Sequence, residues 1–330
     1  SYDINQRLIP YTSRDTHLRA FFVGLLNTGL VAVLGIITAT ILGFMLGIIR
    51  LSHNWIASRI VYVFIELTRN VPVLLHILLI HGIIVHILPS PKQPHTLADS
   101  IFLSNRGLTI PDPVAGDAFI FTVIAFFAAI VGIVFFRRWA KKKRDDEGII
   151  YPVVWISLGI LFGLPLLVFL VTGLPLTWNV PEMGRFNLKG GITMIPELLA
   201  LWLALSLYTS AFIAEIVRAG INAINKGQWE ASQAVGLKRD RTLNLVVIPQ
   251  ALRIIIPPLT SQYLNLTKNS SLAIAIGYMD IVATIGGITL MQTGKEMETM
   301  IIVLLTYLCI SLAISSVMNW YNKRIALVER

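Results

Sequence analysis

The chain holds a single cysteine in 330 residues, and that one, Cys309, lies inside an apolar run. An internal disulfide and a cysteine-based metal site are therefore excluded. Charge is scarce as well: 14% of the residues are charged and 55% are hydrophobic, for a mean hydropathy of +0.73. A soluble domain of this length needs far more charge to cover its surface, so the composition is that of a polytopic membrane protein. No G-x-x-x-x-G-K-[ST] motif occurs, which excludes nucleotide binding in the P-loop manner. Acidic residues are outnumbered 18 to 27, leaving a net charge of +9. In a soluble protein that excess would point to nucleic acid. Here the basic residues gather at the ends of apolar stretches, where they set topology, and no nucleic-acid partner is expected. The sequence opens on Ser1 rather than Met, and nothing at that end reads as a signal peptide.

Roughly 20 residues cross the hydrocarbon core of a bilayer. Seven stretches are long and apolar enough: 20–49, 60–88, 118–136, 150–174, 194–219, 251–272 and 298–321. The expected fold is all-α, a polytopic helical bundle. Gly43 with Gly47, and Gly159 with Gly163, give small faces that favour close helix packing. With the polar stretch at 221–249 placed in the cytoplasm, 17 Lys and Arg fall on its side and 8 on the other, counting Arg7, Arg185 and Arg330. That bias favours this orientation, with the first residue outside and the last inside. Outside, residues 89–117 hold five prolines, and 175–192 hold Trp178 and the Gly190-Gly191 pair. Both read as ordered loops with aromatic anchors at the interface. The basic run at 137–148 reads as a cytoplasmic hairpin that sets topology.

The stretch from Ile221 to Pro249 must lie in water, since it carries Lys226, Glu230, Lys238, Arg239, Asp240 and Arg241. Its pattern predicts two short helices. Gly227 breaks the preceding helix, Glu230 falls in the first turn of a new one, and Gly236 supplies a left-handed cap. The next helix starts near Asp240 and stops at Pro249. Ala231, Ser232 and Ala234 are small, so another protein's backbone could approach closely.

Glu230-Ala231-Ser232, then Gly236, then Val246, Ile248 and Pro249 resemble the Glu-Ala-Ala, Gly, Ile-x-Leu-Pro loop of ABC importer permeases. Ser232, Val246 and Ile248 depart from it by residues of similar size. The run Gly227-Gln228-Trp229-Glu230-Ala231 resembles the Gly-Gln-x-Glu-Ala pattern of polar amino acid permeases. Leu266, Lys268, Ser271 and Leu272 are similar to their Leu-x-Lys-Asp-Thr-Ser-Leu, with Asn269 and Ser270 departing. Arg69 to Val73 parallels Arg-Gly-Thr-Pro-Leu, and Ala211 to Gly220 parallels Ala-Tyr-Thr-Ala-Glu, with Phe212 and Ile213 departing. These similarities cover roughly the first 90 and last 140 residues.

In that family the loop is a coupling helix that docks in a groove of a cytoplasmic ATPase, so Gly227, Gln228, Trp229, Glu230, Ala231, Ser232 and Gly236 become coupling candidates. The resemblance implies a five-helix core at about 20–88 and 194–321, with the hairpin at about 118–174 inserted, all within one permease domain. With Leu8-Ile9-Pro10-Tyr11 ahead of the first core span, this looks most like the larger permease subunit of general L-amino-acid (Aap/Bzt type) importers. Members of that branch begin with a further helix, so residues ahead of Ser1 are expected. The implied partners are a second permease, a paralogue, with two ATPases and a periplasmic amino-acid-binding protein, in the lipid of a bacterial inner membrane. ATP and Mg would be held by the ATPase, with no cofactor and no catalytic role in this chain.

Polar residues inside the spans are costly and so are functional candidates. On the second span Glu66, Arg69, Asn70, His76 and His81 fall on one face of a helical wheel. Either Glu66 and Arg69 neutralise each other, or they line a pathway. No second cluster of Asp, Glu or Cys accompanies the histidines at ligand spacing, so polar lining is expected and a metal is not. On the fifth span Tyr208, Phe212 and Glu215 share a face, with an ion pair to Arg218 favoured for Glu215. On the sixth, Gln262, Asn265, Lys268, Asn269, Ser270 and Ser271 form a polar patch after Pro257 and Pro258, which are expected to bend or interrupt the helix. Lys268 either meets a substrate carboxylate or snorkels to the outer interface. Glu66 and Lys268 together would suit a zwitterion.

Two rival functions use the same residues. An ion-gradient-driven secondary transporter would couple through Glu66, Glu215 and Lys268, but it should show an inverted repeat, and none is visible. A structural membrane subunit that moves nothing would have no use for the polar face of the second span. Co-purification with an ATPase separates both from an importer permease.

Overall fold

The computed structural model describes Ile4, residues 8–184 and residues 187–325. Arg7, Arg185 and Arg330 of the charge count lie outside them. Just ahead of the first helix, the Asp15 carboxylate accepts the Thr12 N–H and hydroxyl at 2.7 and 2.9 Å, which hold it below the usual carboxylate range. Thr16 caps α1 (His17–Arg50), accepting the Arg19 N–H. Asn54 likewise caps α2 (Trp55–Asn70). Val71 is extended, and α3 (Val73–Gly82) starts after Pro72 and ends in a π turn at Ile83–Ile87. Four short strands follow, β1 (His95–Leu97), β2 (Ile101–Ser104), β3 (Gly107–Ile110) and β4 (Asp112–Ala115). Next come α4 (Phe119–Glu147) and α5 (Val153–Val171), then β5 (Leu176–Asn179), β6 (Glu182–Met183), β7 (Leu188–Lys189) and β8 (Ile192–Met194). The chain continues with α6 (Pro196–Asn222), α7 (Lys226–Ala234), α8 (Arg239–Thr242) and α9 (Ile248–Asn269). A 3-10 segment at Ser270–Ile276 and a π segment at Val282–Thr289 precede α10 (Leu290–Thr293) and α11 (Glu296–Ile325).

Among the described residues, six helices are long and apolar enough to cross a membrane, or seven if the bent pair α2 and α3 is one span. That bent pair corrects the second span. Its two halves meet at 105°, because Pro72 has no N–H to continue the ladder and holds Val71 out of the helical region. Glu66, Arg69 and Asn70 therefore sit on one helix, His76 and His81 on another, and the single polar face does not exist.

Three further boundaries differ from expectation. The basic run at 137–148 is mostly helix, since α4 continues to Glu147 and ends on Gly148 at φ +71°. Pro257 and Pro258 lie inside α9, which runs on to Asn269, so the change to 3-10 geometry comes at Ser270 and not at the prolines. Pro249 stops nothing. It occupies the first turn of α9, where a missing N–H costs least, and a π turn at Leu243–Val247 joins α8 directly to α9. The result is one rod from Arg239 to Ile276.

The described chain divides into two compact units. The first holds the segment up to residue 88, residues 105–107 and the chain from 194 on. Here α1 lies along α6, which also meets α2, α3 and α9. In lipid no hydrophobic force drives helices together, so close approach and polar contacts must. The buried stripe of α1 accordingly consists mostly of small residues, including Ala20, Gly24, Thr28, Ala32, Gly35, Ala39, Gly43 and Gly47. Polar contacts add to it: Trp202 Nε1 donates to Thr38 Oγ1 at 3.0 Å, and the Thr40 and Tyr263 hydroxyls lie 2.9 Å apart. The second unit, residues 89–104 and 108–193, contains the α4–α5 hairpin and most of the strands. The loops expected there as merely ordered carry antiparallel pairs, β1 with β2, β4 with β5 and β6 with β7.

A Cβ on Gly43 would lie 2.5 Å from Ile213 Cβ, and one on Gly47 would lie 2.8 Å from Val217 Cβ, whereas Gly159 and Gly163 face open space. Only the first small-residue pair is a packing face within this chain. Gly43→Val should therefore cost about 1–3 kcal/mol through overpacking, visible as a lower melting temperature in detergent. Gly163→Val should stay within about 0.5 kcal/mol of wild type. Equal melting temperatures for the two variants would remove the packing role assigned to Gly43.

Candidate functional site

The polar hairpin after α6 is built by local capping. Asn225, not Gly227, begins the new helix, its Oδ1 accepting the Gly227 N–H at 2.9 Å. Gly227, Gln228, Trp229, Glu230, Ala231 and Ser232 all lie on α7, with Glu230 beyond the first turn and exposed. The expected cap at Gly236 is present: its φ is +76° and its N–H donates to the Gln233 carbonyl at 2.9 Å. Ser232 is buried and donates its hydroxyl to the Gln228 carbonyl at 2.7 Å. Its extra polarity is thus absorbed by its own helix, and it packs as an alanine would. Gln250 Nε2 donates to Gln228 Oε1 at 3.2 Å, tying α7 to α9. Two large apolar residues stand out into solvent, Val235 at 74% and Leu245 at 66% exposure. A cavity of about 420 Å³ between α7 and α8 is lined by Trp229, Gln233, Arg239 and Thr242.

A second group forms where α2 breaks. The Arg69 guanidinium lies 5.3 Å from the Phe212 ring, Phe212 stacks on Tyr208 at 5.0 Å, and Tyr208 meets His76 edge-on at 5.7 Å. Arg69, His76 and Tyr208 are therefore brought together through an aromatic chain, although two helices carry Arg69 and His76. Glu66 and Arg69 make no ion pair among the described residues. Glu66 instead accepts the Asn70 amide, at 2.8 Å on its carbonyl and 3.4 Å on Oε2. Glu215 does pair with Arg218, at 2.8 Å, as favoured. A cleft of about 430 Å³ beside the break is lined by Leu67, Thr68, Val71, Leu75, His76 and Leu79.

At the end of α9, Asn265 and Lys268 are exposed, and the Lys268 ammonium makes no hydrogen bond or ion pair among the described residues. Asn269 is half-buried. Ser271 spends its hydroxyl on the Lys268 carbonyl at 2.7 Å. Ser270 leaves the pathway set: it is fully buried, donates to the Thr267 carbonyl at 2.7 Å and meets the Tyr307 hydroxyl at 3.4 Å. The 3-10 segment that it opens packs against both α3 and α6, the helices of His76 and Tyr208.

Asp280 is a residue that sequence reasoning missed. It is fully buried, its Oδ1 accepts the Ala283 N–H at 2.9 Å, and its Oδ2 accepts the Tyr307 hydroxyl at 3.1 Å. It has no cationic partner among the described residues. Around it, Asn27 Nδ2 donates to the Met279 carbonyl at 2.8 Å, and the Ile281 N–H donates to Thr28 Oγ1 at 3.1 Å. The signal was available, because Asp280 is the one Asp, Glu, Lys or Arg between Lys268 and Lys295. No three His, Cys, Asp or Glu side chains converge among the described residues.

A sequence model of the family described as "binding-protein-dependent transport system inner membrane component" matches residues 33–327. The chain is 50% identical over 329 residues to the general L-amino acid transport system permease protein AapQ of Rhizobium johnstonii, covering 100% of this chain and 82% of that one. It is 47% identical over 360 residues to the glutamate/glutamine/aspartate/asparagine transport system permease protein BztB of Rhodobacter capsulatus, covering 100% and 84%. A crystal structure of an amino acid ABC transporter with histidines shares the fold, with a TM-score of 0.55 at 19% identity over 93% of this chain and 95% of that one.

The Asp280 cluster gives a stability test. Asp280→Ala strands a buried N–H and a buried hydroxyl, each costing about 1–3 kcal/mol, whereas Asp280→Asn keeps an acceptor. Melting in detergent should fall markedly for Ala and less for Asn. A melting temperature for Asp280→Ala equal to wild type would mean that this carboxylate fastens nothing.

Proposed function

This chain belongs to the family of binding-protein-dependent transport system inner membrane components, and from that membership we infer how its parts work. It is a permease subunit of an amino acid ABC importer. A secondary transporter driven by an ion gradient is not favoured. The family implies partners that hydrolyse ATP and partners that deliver substrate. On our reading these are two cytoplasmic ATPases, which hold the ATP and Mg, and a periplasmic binding protein. The second permease is a paralogue, the membrane is a bacterial inner membrane, and this chain itself is non-catalytic.

What supports the coupling role is the hairpin. The family's Glu-Ala-Ser triplet falls on a short helix, closed by a glycine in the left-handed region and followed, after the turn at 235–238, by a rod that runs from Arg239 to Ile276. A movement imposed on α8 reaches Lys268 along one helix, and one imposed on α7 reaches that helix through the Gln228–Gln250 hydrogen bond. The pathway is proposed at the broken second span and the end of α9. Arg69 and Lys268, neither paired with a carboxylate among the described residues, offer cations to a substrate carboxylate. Glu66, with capacity left on its oxygens beside Asn70, offers an anion to the ammonium group. His76, Tyr208, Asn265, Asn269 and Ser271 supply the neighbouring polar and aromatic surface, and Glu215 is held by Arg218 nearer the end of α6.

Two measurements test these assignments. Gly236→Pro removes both the positive φ and the N–H of the cap, and Glu230→Lys reverses the exposed charge on α7. Each should leave the chain inserted but abolish substrate-stimulated ATP hydrolysis in the assembled complex, and wild-type stimulation in both would end the coupling role. For the pathway, Lys268→Met keeps most of the apolar stem, while Lys268→Arg keeps the charge in a broader planar shape. Met should abolish uptake and Arg should leave a trace. Uptake by the Met variant within about twofold of wild type, a difference well under ~1 kcal/mol, would exclude a carboxylate contact.

A further inference from the structure

The coupling hairpin carries a concavity as well as a convex helix. The cavity between α7 and α8 is walled by the Trp229 ring and Gln233 on one side and by Arg239 and Thr242 on the other. Arg239 is exposed, and its guanidinium makes no hydrogen bond or ion pair among the described residues. Thr242 is only 1% exposed, and its Oγ1 is buried with no hydrogen-bond partner. A guanidinium with free donors beside an unsatisfied hydroxyl, backed by an indole, is a set of groups that accepts a planar anion. The hairpin's charge agrees, with Lys226, Lys238, Arg239 and Arg241 against Glu230 and Asp240. Asp240, exposed between the two arginines, works against a multiply charged headgroup and tolerates a single carboxylate on the Arg239 side.

We propose that this cavity receives an acidic side chain of the ATPase, its carboxylate held by the Arg239 guanidinium and the Thr242 hydroxyl against Trp229. The contact rests on the coupling role inferred above and adds to it a second, reciprocal seat. The α7 helix enters the ATPase, and a carboxylate of the ATPase enters the hairpin. Two opposed insertions resist both rotation and withdrawal, so a pull reaches α9 in either direction.

The test uses the full importer, with the second permease and both ATPases co-expressed, and reads how much ATPase stays with the permease pair in detergent as salt is raised. Arg239→Gln should weaken retention about tenfold, Arg239→Glu should abolish it, and the isosteric Thr242→Val should give a smaller loss. Reversing the charge of one acidic residue of the ATPase should restore retention to Arg239→Glu and to no other variant. Glu230→Lys separates the two levels. If it releases the ATPase while Arg239→Gln and Arg239→Glu retain it as wild type does, the cavity proposal fails and coupling stands; if all three retain it, coupling fails too. Association of the two permeases should be unchanged in every variant, and for any variant that does not assemble, Arg239→Lys and Thr242→Val carry the measurement. If the Arg239 variants keep the ATPase but lose affinity for phosphatidylglycerol vesicles, the occupant is a lipid phosphate and the proposal is overturned.

Discussion

Everything in the first unit depends on how closely α1 can approach its neighbours. Between apolar helices in lipid there is no water to expel, so association must come from dispersion contacts, polar bonds and the absence of side chains that hold backbones apart. The small-residue stripe of α1 meets three partners in sequence: Gly24 faces Thr284, Gly35 faces Leu266, and Gly43 and Gly47 face α6. The same approach brings Asn27 and Thr28 within hydrogen-bond distance of the backbone at Met279 and Ile281. Asp280 can be buried without a cation because those bonds fix the turn around it and because Tyr307 and the Ala283 N–H satisfy its oxygens.

On the coupling role proposed above, that arrangement also links the polar hairpin to the proposed pathway. The hairpin is held within itself by Asn225 and Gly236, and to α9 by Gln228, whose Oε1 accepts from Gln250 Nε2. It has no flexible link to the membrane on its second side, since α8, the π turn and α9 form one rod. The rod changes geometry at Ser270, where a buried hydroxyl joins it to Tyr307 of α11, itself bonded to Asp280. On the proposed coupling role, the polar junction shared by α9, α11 and the turn before the π segment is where a displacement of the hairpin would be felt.

Much of this was legible from residue order. Apolar length located α1, α5, α6 and α11 to within a few residues, but it ran α2 and α3 into one helix, stopped short of the end of α4 and began the sixth span at 251, well inside the rod from Arg239. The loop pattern placed Gly227 to Ser232 on a short helix with a left-handed cap at Gly236. What escaped has one cause, which is that a helix boundary depends on where unsatisfied backbone groups can go. Pro72 breaks a helix because nothing takes over its missing bond, while Pro249, Pro257 and Pro258 do not, because a first turn, a π turn and the packing of α9 absorb the loss. Spacing alone reads them the other way round, with one helical face carried through Pro72 and a stop or bend expected at Pro249, Pro257 and Pro258. It also assigned Ser270 to the pathway, although the residue is buried with its hydroxyl on the Thr267 carbonyl and against Tyr307 of α11, and it passed over Asp280, whose importance lies in contacts from α1 and α11 that no local window contains.

The break between α2 and α3 carries the last consequence. A 105° bend leaves backbone groups around Val71 outside any helix, and such groups are tolerated at membrane depth only where protein covers them or a water-filled cavity receives them. Arg69 and Asn70 at the same turn are exposed in this chain alone, and a guanidinium facing hydrocarbon is far costlier than one facing water or a partner. The aromatic contacts to Phe212 and Tyr208 shield one side of that cation without neutralising it. The exposed end of α2 is therefore a surface poorly matched to lipid. On the reading proposed above, the substrate path meets it there.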